Sequence, residues 1–272
     1  MNHVKYAVLV VARNEEKVII NTLKSINDQS LKPINIIVVN DGSTDGTQDK
    51  IKHRFPEIIV LDYPYDHDSY LNDPKLARIF NYGLNELAVL DIDYLLLMGA
   101  DQVLPPDYSK TLIDKMEVDP LLTITSGTIR GEFNTLPRGS GRMYRNSFLK
   151  SLGYYFIENY GHEDYHLFKA LQLKFKVFVD NSLISTARKT GSLYDSTYNI
   201  NRGRAYRALG YSKLYLLLKF MLKLNKESIR EIQKGYDDPN ISFYEPDLRS
   251  FVSTWQKKQL FKIQSIKKLR LD

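Results

Sequence analysis

The sequence predicts an α/β fold, a mixed and mostly parallel sheet flanked by helices, followed by a helical, basic C-terminal extension. Three observations carry this reading. Over the first hundred residues, short apolar β-rich runs alternate with segments of helical spacing. Three of those runs end on a polar string that contains an acid. From about Asn199 onward the pattern is helical and the charge turns basic.

Each element follows from its own residues. Tyr6–Val11 is a β-rich apolar run, and Glu16–Ile26 then places Val18, Ile19, Leu23 and Ile26 on one helical face. Asn35–Asn40 reads as a buried strand, and the cap-forming string Ser43-Thr44-Asp45-Gly46 opens a helix through Lys52. Ile58–Leu61 is a third strand, Lys75–Leu90 a helix and Tyr94–Met98 a fourth strand. Strand–helix alternation implies parallel βαβ units covered on both faces. A mixed region runs from Pro105 to about Arg188, with a Gly/Arg-rich loop at Pro137–Arg142 and a strand at Val177–Asp180. Asp237–Pro246, with its two prolines, separates two basic helical segments near the end. The organisation is thus a first half over 1–104, a second half of the same domain over 105–198, and an extension over 199–272.

Composition narrows the function. The 272 residues are 43% hydrophobic and 26% charged with no cysteine, which excludes disorder, a disulfide scaffold and any cysteine-built zinc, redox or nucleophilic site. A bilayer span needs about 20 apolar residues. The best stretch, Leu214–Leu224, is interrupted by Lys219 and Lys223. Ala7–Ala12 is too short for a signal-peptide core and runs into Arg13, Glu15 and Glu16, so a cytoplasmic protein is expected. Residues 1–199 hold 22 Lys/Arg against 25 Asp/Glu, whereas 200–272 hold 16 against 7. That asymmetry suits a tail that meets an anionic surface.

The acids at the strand ends carry the chemistry. Val11 runs into Ala12-Arg13-Asn14-Glu15, Val39 into Asn40-Asp41-Gly42-Ser43, and Met98 into Gly99-Ala100-Asp101. Ligands of open parallel sheets bind beyond the carboxyl ends of the strands. Acids gathered there repel unless a divalent metal, or the donor groups of a base or ribose, sits among them. The alternative for Asp41 and Glu15 is turn and helix-cap duty alone, which the gathering of acids at the strand ends outweighs. No Gly-x-Gly-x-x-Gly follows the first strand, so a dehydrogenase-type pyrophosphate loop is unsupported. His67 between Asp66 and Asp68 reads as part of a solvated loop, and His3 and His53 carry no assignment.

Taken together, Val11-Ala12-Arg13-Asn14-Glu15-Glu16, Asn40-Asp41-Gly42-Ser43-Thr44-Asp45-Gly46-Thr47 and Gly99-Ala100-Asp101 resemble family 2 glycosyltransferases of the GT-A fold. Lys75–Gly83 resembles that family's donor-side helix, and Gly141-Arg142-Met143-Tyr144-Arg145 with Gly161-His162-Glu163-Asp164 its acceptor half. The resemblance covers about residues 4–190 and implies an inverting transferase that uses a nucleotide-diphosphate sugar, a UDP-sugar being favoured. By matching position, Val11, Ala12, Arg13, Glu15 and Ala100 line the donor pocket, Asp41 accepts a hydrogen bond from the base, and Lys75 lies near base or diphosphate. Asp101 matches the last acid of the family's Asp-x-Asp motif and would hold Mn²⁺ or Mg²⁺; Gly99 stands where the first acid is expected. Asp164 is implied as the general base, with Glu163 and Arg142 on the acceptor side. The implied acceptor is a glycan, a lipid-linked saccharide or a polyprenol phosphate. Arg138, Arg142, Arg188 and Lys189 are further candidates to close over the diphosphate.

Rival readings remain at this level. His162-Glu163-Asp164-Tyr165-His166 satisfies His-Glu-x-x-His, the zinc-protease pattern, yet no third ligand follows at metzincin spacing. The absent acid at Gly99 raises a non-catalytic nucleotide-sugar binder of the same fold. Tyr154, Tyr155 and Phe156 are placed to stack on an acceptor sugar. In the tail, Leu248, Phe251, Val252, Trp255, Phe261, Ile263, Ile266 and Leu269 recur at helical intervals among Lys257, Lys258, Lys262, Lys267 and Lys268. Such a helix lies either in the inner membrane interface as a peripheral anchor or against the protein body. No nucleic-acid module is present, so no nucleic acid is expected.

Overall fold

The structure, a computed structural model, describes residues 4–64, 73–188, 196–220 and 226–268. His3, His67 with its flanking acids, and Lys189 lie outside the described residues. The chain divides into two compact units. The first comprises 1–69, 77–156 and 173–190; the second comprises 70–76, 157–172 and 191–272.

The first unit is built on a sheet of eight strands in the order β3-β2-β1-β4-β7-β6-β8-β5. These are β1 (Tyr6–Ala12), β2 (Asn35–Asn40), β3 (Ile59–Asp62), β4 (Tyr94–Gly99), β5 (Gln102–Val103), β6 (Leu122–Ile129), β7 (Arg142–Arg145) and β8 (Lys176–Ala187). Pairings β1/β2, β1/β4, β2/β3 and β6/β8 are parallel, while β4/β7, β6/β7 and β5/β8 are antiparallel. The mixed, mostly parallel GT-A sheet expected from the sequence is therefore the one observed.

Helices α1 (Ile19–Asn27), α2 (Thr47–Arg54), α3 (Pro74–Leu87), α4 (Tyr108–Val118) and α5 (Asn146–Ser151) fall between these strands in the chain. Tyr6–Val10 are all buried, as befits a central parallel strand covered on both faces. The first helix starts three residues later than the apolar spacing predicted. Asn14 takes a left-handed φ of 51°, and the N–H groups of Val18 and Ile19 both turn back to the Glu15 carbonyl, so 14–18 form a turn instead.

The second unit is helical: α6 (His162–Gln172), α7 (Ser196–Ala208), α8 (Lys213–Phe220), α9 (Lys226–Tyr236) and α10 (Pro246–Lys268). The two units interleave along the chain, because β8 returns to the sheet while α6 joins the C-terminal helices. Its core gathers Tyr165, Phe168, Tyr206, Leu209, Tyr211, Leu248 and Val252. Trp255 of α10 meets Phe168 edge-on at 5.5 Å between ring centres. The apolar stripe of the basic tail, where its side chains are described (to Gln259), thus packs inward. Among the described residues no helix is long and apolar enough to cross a membrane.

Helices α7 and α9 approach closely through a reciprocal pair of glycines. A Cβ on Gly203 would fall 2.0 Å from the Ile232 carbonyl oxygen, and one on Gly235 would fall 1.9 Å from that of Ile200. Alanine is favoured over glycine by about 1 kcal/mol in a helix interior, yet here a methyl group collides with main chain that cannot step aside. Gly203→Ala and Gly235→Ala are each expected to destabilise the protein by roughly 1–3 kcal/mol or more, read as a lower urea midpoint. A midpoint at or above wild type overturns this packing.

Candidate active site

The parallel register delivers the acid strings to one edge of the sheet. Val11 pairs with Val39 on one side and Gly99 on the other, and Ala12 pairs with Asn40. The Asp41 N–H donates to the Ala12 carbonyl at 2.9 Å. Asp41 therefore follows β2 and Asp101 follows β4, with the end of β1 between them.

Asp41 is fully buried at 0% exposure, and Arg13 Nη1 stands 3.6 Å from its Oδ2 and donates to its main-chain oxygen at 3.4 Å. A buried carboxylate requires such compensation. The turn-and-cap work expected of this string falls mainly to Asp45. It accepts from the N–H groups of Thr47 at 3.0 Å and Glu16 at 3.1 Å. Burial pushes the Asp45 carboxyl up, but the bonds from Thr47 and from these N–H groups outweigh it and hold its pKa below the ordinary range. The two loops interlock further: Asn14 N–H donates to Ser43 Oγ, Thr44 N–H to Asn14 Oδ1, and Glu15 N–H to Thr47 Oγ1.

A second charged group forms around Asp101. The short antiparallel pairing of Gln102 with Ala187 carries Arg188 alongside, and the Arg188 N–H donates to the Asp101 carbonyl at 3.2 Å. Arg188 Nη2 then binds Glu15 Oε1 at 2.7 Å. Burial pushes the Asp101 carboxyl above its ordinary pKa, against the charges of Arg188 and Arg138. Glu15 is also pushed up, first by burial and further by Asp101 and Asp45, while Arg188 opposes. Glu15 Oε2 is buried with no hydrogen-bond partner among the described residues.

The Gly/Arg-rich loop is tied down rather than free. Ser140 Oγ accepts the Gly99 N–H at 2.9 Å and donates to Gln102 Oε1. Gly141 has φ +76°, and a Cβ there would lie 2.7 Å from Tyr108 Oη, so the position requires glycine. The expectation that Arg142 sits in a loop able to close over a diphosphate is corrected. Arg142 opens β7 at 1% exposure, and its guanidinium donates to the carbonyls of Arg138 at 2.6 Å and Pro137 at 2.8 Å and to Tyr144 Oη at 3.1 Å. It braces the loop from beneath. Arg138, on the loop itself, pairs with Glu132.

Glu163 and Asp164 lie in the first turn of α6, in the second unit. The negative charge of Asp164 acts on Arg202, Tyr206, Tyr211 and Tyr244. Lys75 belongs to the same unit; it is buried in the first turn of α3, with its N–H on Asp73 Oδ1 at 2.8 Å. His162 and His166 are both buried on α6, and His162 Nδ1 lies 3.3 Å from the Asn159 carbonyl. Among the described residues no three His, Cys, Asp or Glu side chains are grouped to hold a metal, so the zinc-protease reading finds no ligand set. Arg202, and the pairing of Arg188 with Glu15 across 173 positions, were not signalled by any local motif.

The donor chemistry near Asp101 fits a hard divalent cation only in part. Asp101 and Glu15 Oε2 could offer carboxylate oxygens, too few for an all-protein site among the described residues, so an ion held here would need other oxygens, such as water, to complete its shell.

A mixed sheet with carboxylates at the tips of its central parallel strands is the GT-A arrangement. Residues 7–178, more than half of the chain, match the family described as Glycosyl transferase family 2, and the chain belongs to it. It is 27% identical, over 123 residues or 45% of its length, to the poly-β-1,6-N-acetyl-D-glucosamine synthase of Staphylococcus epidermidis, and the match takes in 28% of that protein. Similar folds include a mannosyltransferase from Pyrobaculum calidifontis in complex with GDP-Man and Mn²⁺ (TM-score 0.60, 16% identity, 85% of this chain and 68% of that one). S. aureus TarS 1–349 in complex with UDP-GlcNAc gives a TM-score of 0.58 at 16% identity, with 85% and 79% covered.

One consequence of the buried acids can be measured without any ligand. An acid whose pKa is raised by folding adds stability below its unfolded pKa and loses it as pH rises through the folded value. Burial raises Asp101, so its ionised form burdens the native state. Asp101→Asn is expected to raise Tm at pH 8 by roughly 2–4 °C for each 1 kcal/mol relieved, the gain fading toward pH 4. A Tm lowered equally at both pH values contradicts the assignment.

Proposed function

We propose that the chain is an inverting glycosyltransferase that moves a sugar from a nucleotide-diphosphate sugar to an acceptor hydroxyl. The observation that carries this is the pair of arginine-compensated carboxylates, buried Asp41 with Arg13 and half-buried Asp101 with Arg188, flanking the end of β1. In this reading Val11, Ala12, Arg13, Glu15 and Ala100 line the donor pocket. Asp41 accepts from the base, and Lys75 serves base or diphosphate. Asp101 holds Mn²⁺ or Mg²⁺ with the diphosphate, and such an ion supplies charge that offsets the leaving group. Family membership supports the reaction class, and the UDP-GlcNAc and GDP-Man named with similar folds support a nucleotide-sugar donor, with UDP-sugars the first to try.

The chemistry assigned to this chain's own groups is short. Asp164 takes the proton of the acceptor hydroxyl on a carboxylate oxygen, and Glu163 orients the acceptor. The hydroxyl oxygen bonds to the anomeric carbon as the bond to the diphosphate oxygen breaks, inverting the centre in one displacement. The nucleoside diphosphate departs with the electron pair of that bond. Arg188, Arg138 and Arg13 lie where positive charge counters it. A glycan or a lipid-linked saccharide is the acceptor class.

Gly99 keeps a second reading open, a binder of the same donors without turnover. Thermal shift with UDP-, GDP- and dTDP-sugars, with and without Mn²⁺, identifies the donor, since ligands of the native state raise Tm by mass action. Release of free nucleoside diphosphate then separates enzyme from binder. Asp164→Asn is expected to lower kcat by about 10²–10⁴-fold with the donor-induced Tm shift intact. Full activity of that variant removes Asp164 from the mechanism, and binding without release for every donor favours the binder.

A further inference from the structure

The charge of the base assigned above is felt by buried aromatic side chains. Asp164 is in the first turn of α6, and α7 packs against that end: a Cβ on Gly161 would lie 3.1 Å from Ala205 Cβ and 2.9 Å from Leu209 Cδ1. Ala205 and Leu209 belong to one stripe of α7 and its last turn, and Arg202 extends that stripe one turn toward the helix start. Arg202 is held there by two contacts with a single ring. Its Nε donates to Tyr206 Oη at 2.6 Å, and its guanidinium carbon lies 5.5 Å from the Tyr206 ring centre. Tyr206 in turn packs on Tyr211 at 4.6 Å between ring centres.

Four described groups feel the Asp164 charge. They are Arg202 and Tyr206 on α7, Tyr211 just beyond it, and Tyr244 just before α10. Burial pulls the Arg202 pKa down, yet Tyr206, Tyr198 and Asp164 together raise it above its ordinary value. Among these described partners Arg202 is the cation, and the three tyrosines are buried phenols. A carboxylate in aromatic surroundings is costly unless a fixed positive group balances it.

We propose that Arg202 is the positioning residue for Asp164, its guanidinium locked by Tyr206 so that it balances and aims the carboxylate toward the acceptor hydroxyl. This rests on the reading of Asp164 as the base. Arg204, two residues on, is a structural counterpart: it pairs with Asp238 at 2.9 Å and packs on the Tyr160 ring.

Steady-state kinetics of Arg202→Ala, Arg202→Lys, Tyr206→Phe and the control Arg204→Ala test it, with Tm measured for each. Arg202→Ala is expected to lose about 10²-fold in kcat, the scale of a misplaced catalytic group, with donor KM within about twofold. Arg202→Lys recovers part of the loss, and added guanidinium ion restores part of the activity of Arg202→Ala. Tyr206→Phe falls between, while Arg204→Ala lowers Tm and keeps kcat. An unchanged kcat in Arg202→Ala, or a loss that tracks Tm and ignores guanidinium, overturns the proposal. If Arg202→Ala does not fold, Arg202→Lys with wild-type kcat does the same. An active Asp164→Asn sinks the base assignment instead, so the two failures are told apart.

Discussion

The first unit depends on one electrostatic constraint: acids brought to the same sheet edge must be compensated within the protein. Parallel pairing of β1 with β2 and β4 forces the loops bearing Asp41, Glu15 and Asp101 together, because parallel strands end on the same side. Like charges brought near one another in a partly dry environment repel, and Asp101 and Asp45 both push the Glu15 carboxyl up. Two arginines answer this, one from the loop that follows β1 and one from the far end of β8.

The rest of the unit can be read as the means of delivering Arg188. The two-residue pairing of β5 with β8 is the smallest piece of sheet in the molecule's first unit, yet it fixes Arg188 beside Asp101. Around it, Tyr108 Oη donates to the Gly141 carbonyl at 2.6 Å and accepts the Gly127 N–H at 2.8 Å, joining α4, β6 and the loop before β7. A buried hydroxyl that both donates and accepts costs nothing in unsatisfied polar groups and fixes three segments at once. Arg142 adds its guanidinium under the same loop.

Local features were legible in the sequence, and long-range ones were not. The strands at Tyr6, Asn35 and Tyr94 were readable because parallel central strands are continuous apolar runs, and the acids that follow them because ligands collect at strand ends. Arg142 was misplaced because a glycine-flanked arginine looks exposed, and only the antiparallel pairing with β4 and β6 reveals it as a strand residue under a loop. The interleaving of the two compact units was not legible for a related reason: β8 lies beyond α6 in sequence yet completes the sheet. The apolar stripe of the tail was correctly read as helical, but periodicity alone says nothing about what covers it; contacts of Leu248, Val252 and Trp255 with the helical core decide that for the described part.

Gly99 is best understood from the same electrostatics. A Cβ there would lie 3.4 Å from Asp101 Oδ1 and 3.5 Å from Ser140 Oγ, ordinary contact distances, so a second carboxylate at this position would fit but would add a like charge beside the first. Asp101 is already pushed toward its neutral form by burial, and Glu15 is pushed the same way by burial and by Asp101 itself. Adding another acid would demand another cation, and Arg188 is already shared between two. The main-chain N–H of Gly99 meets Ser140, which is held by Gln102 beside the β5/β8 pairing, and glycine adds no further charge next to Asp101, whose own charge is opposed by Arg188 and Arg138.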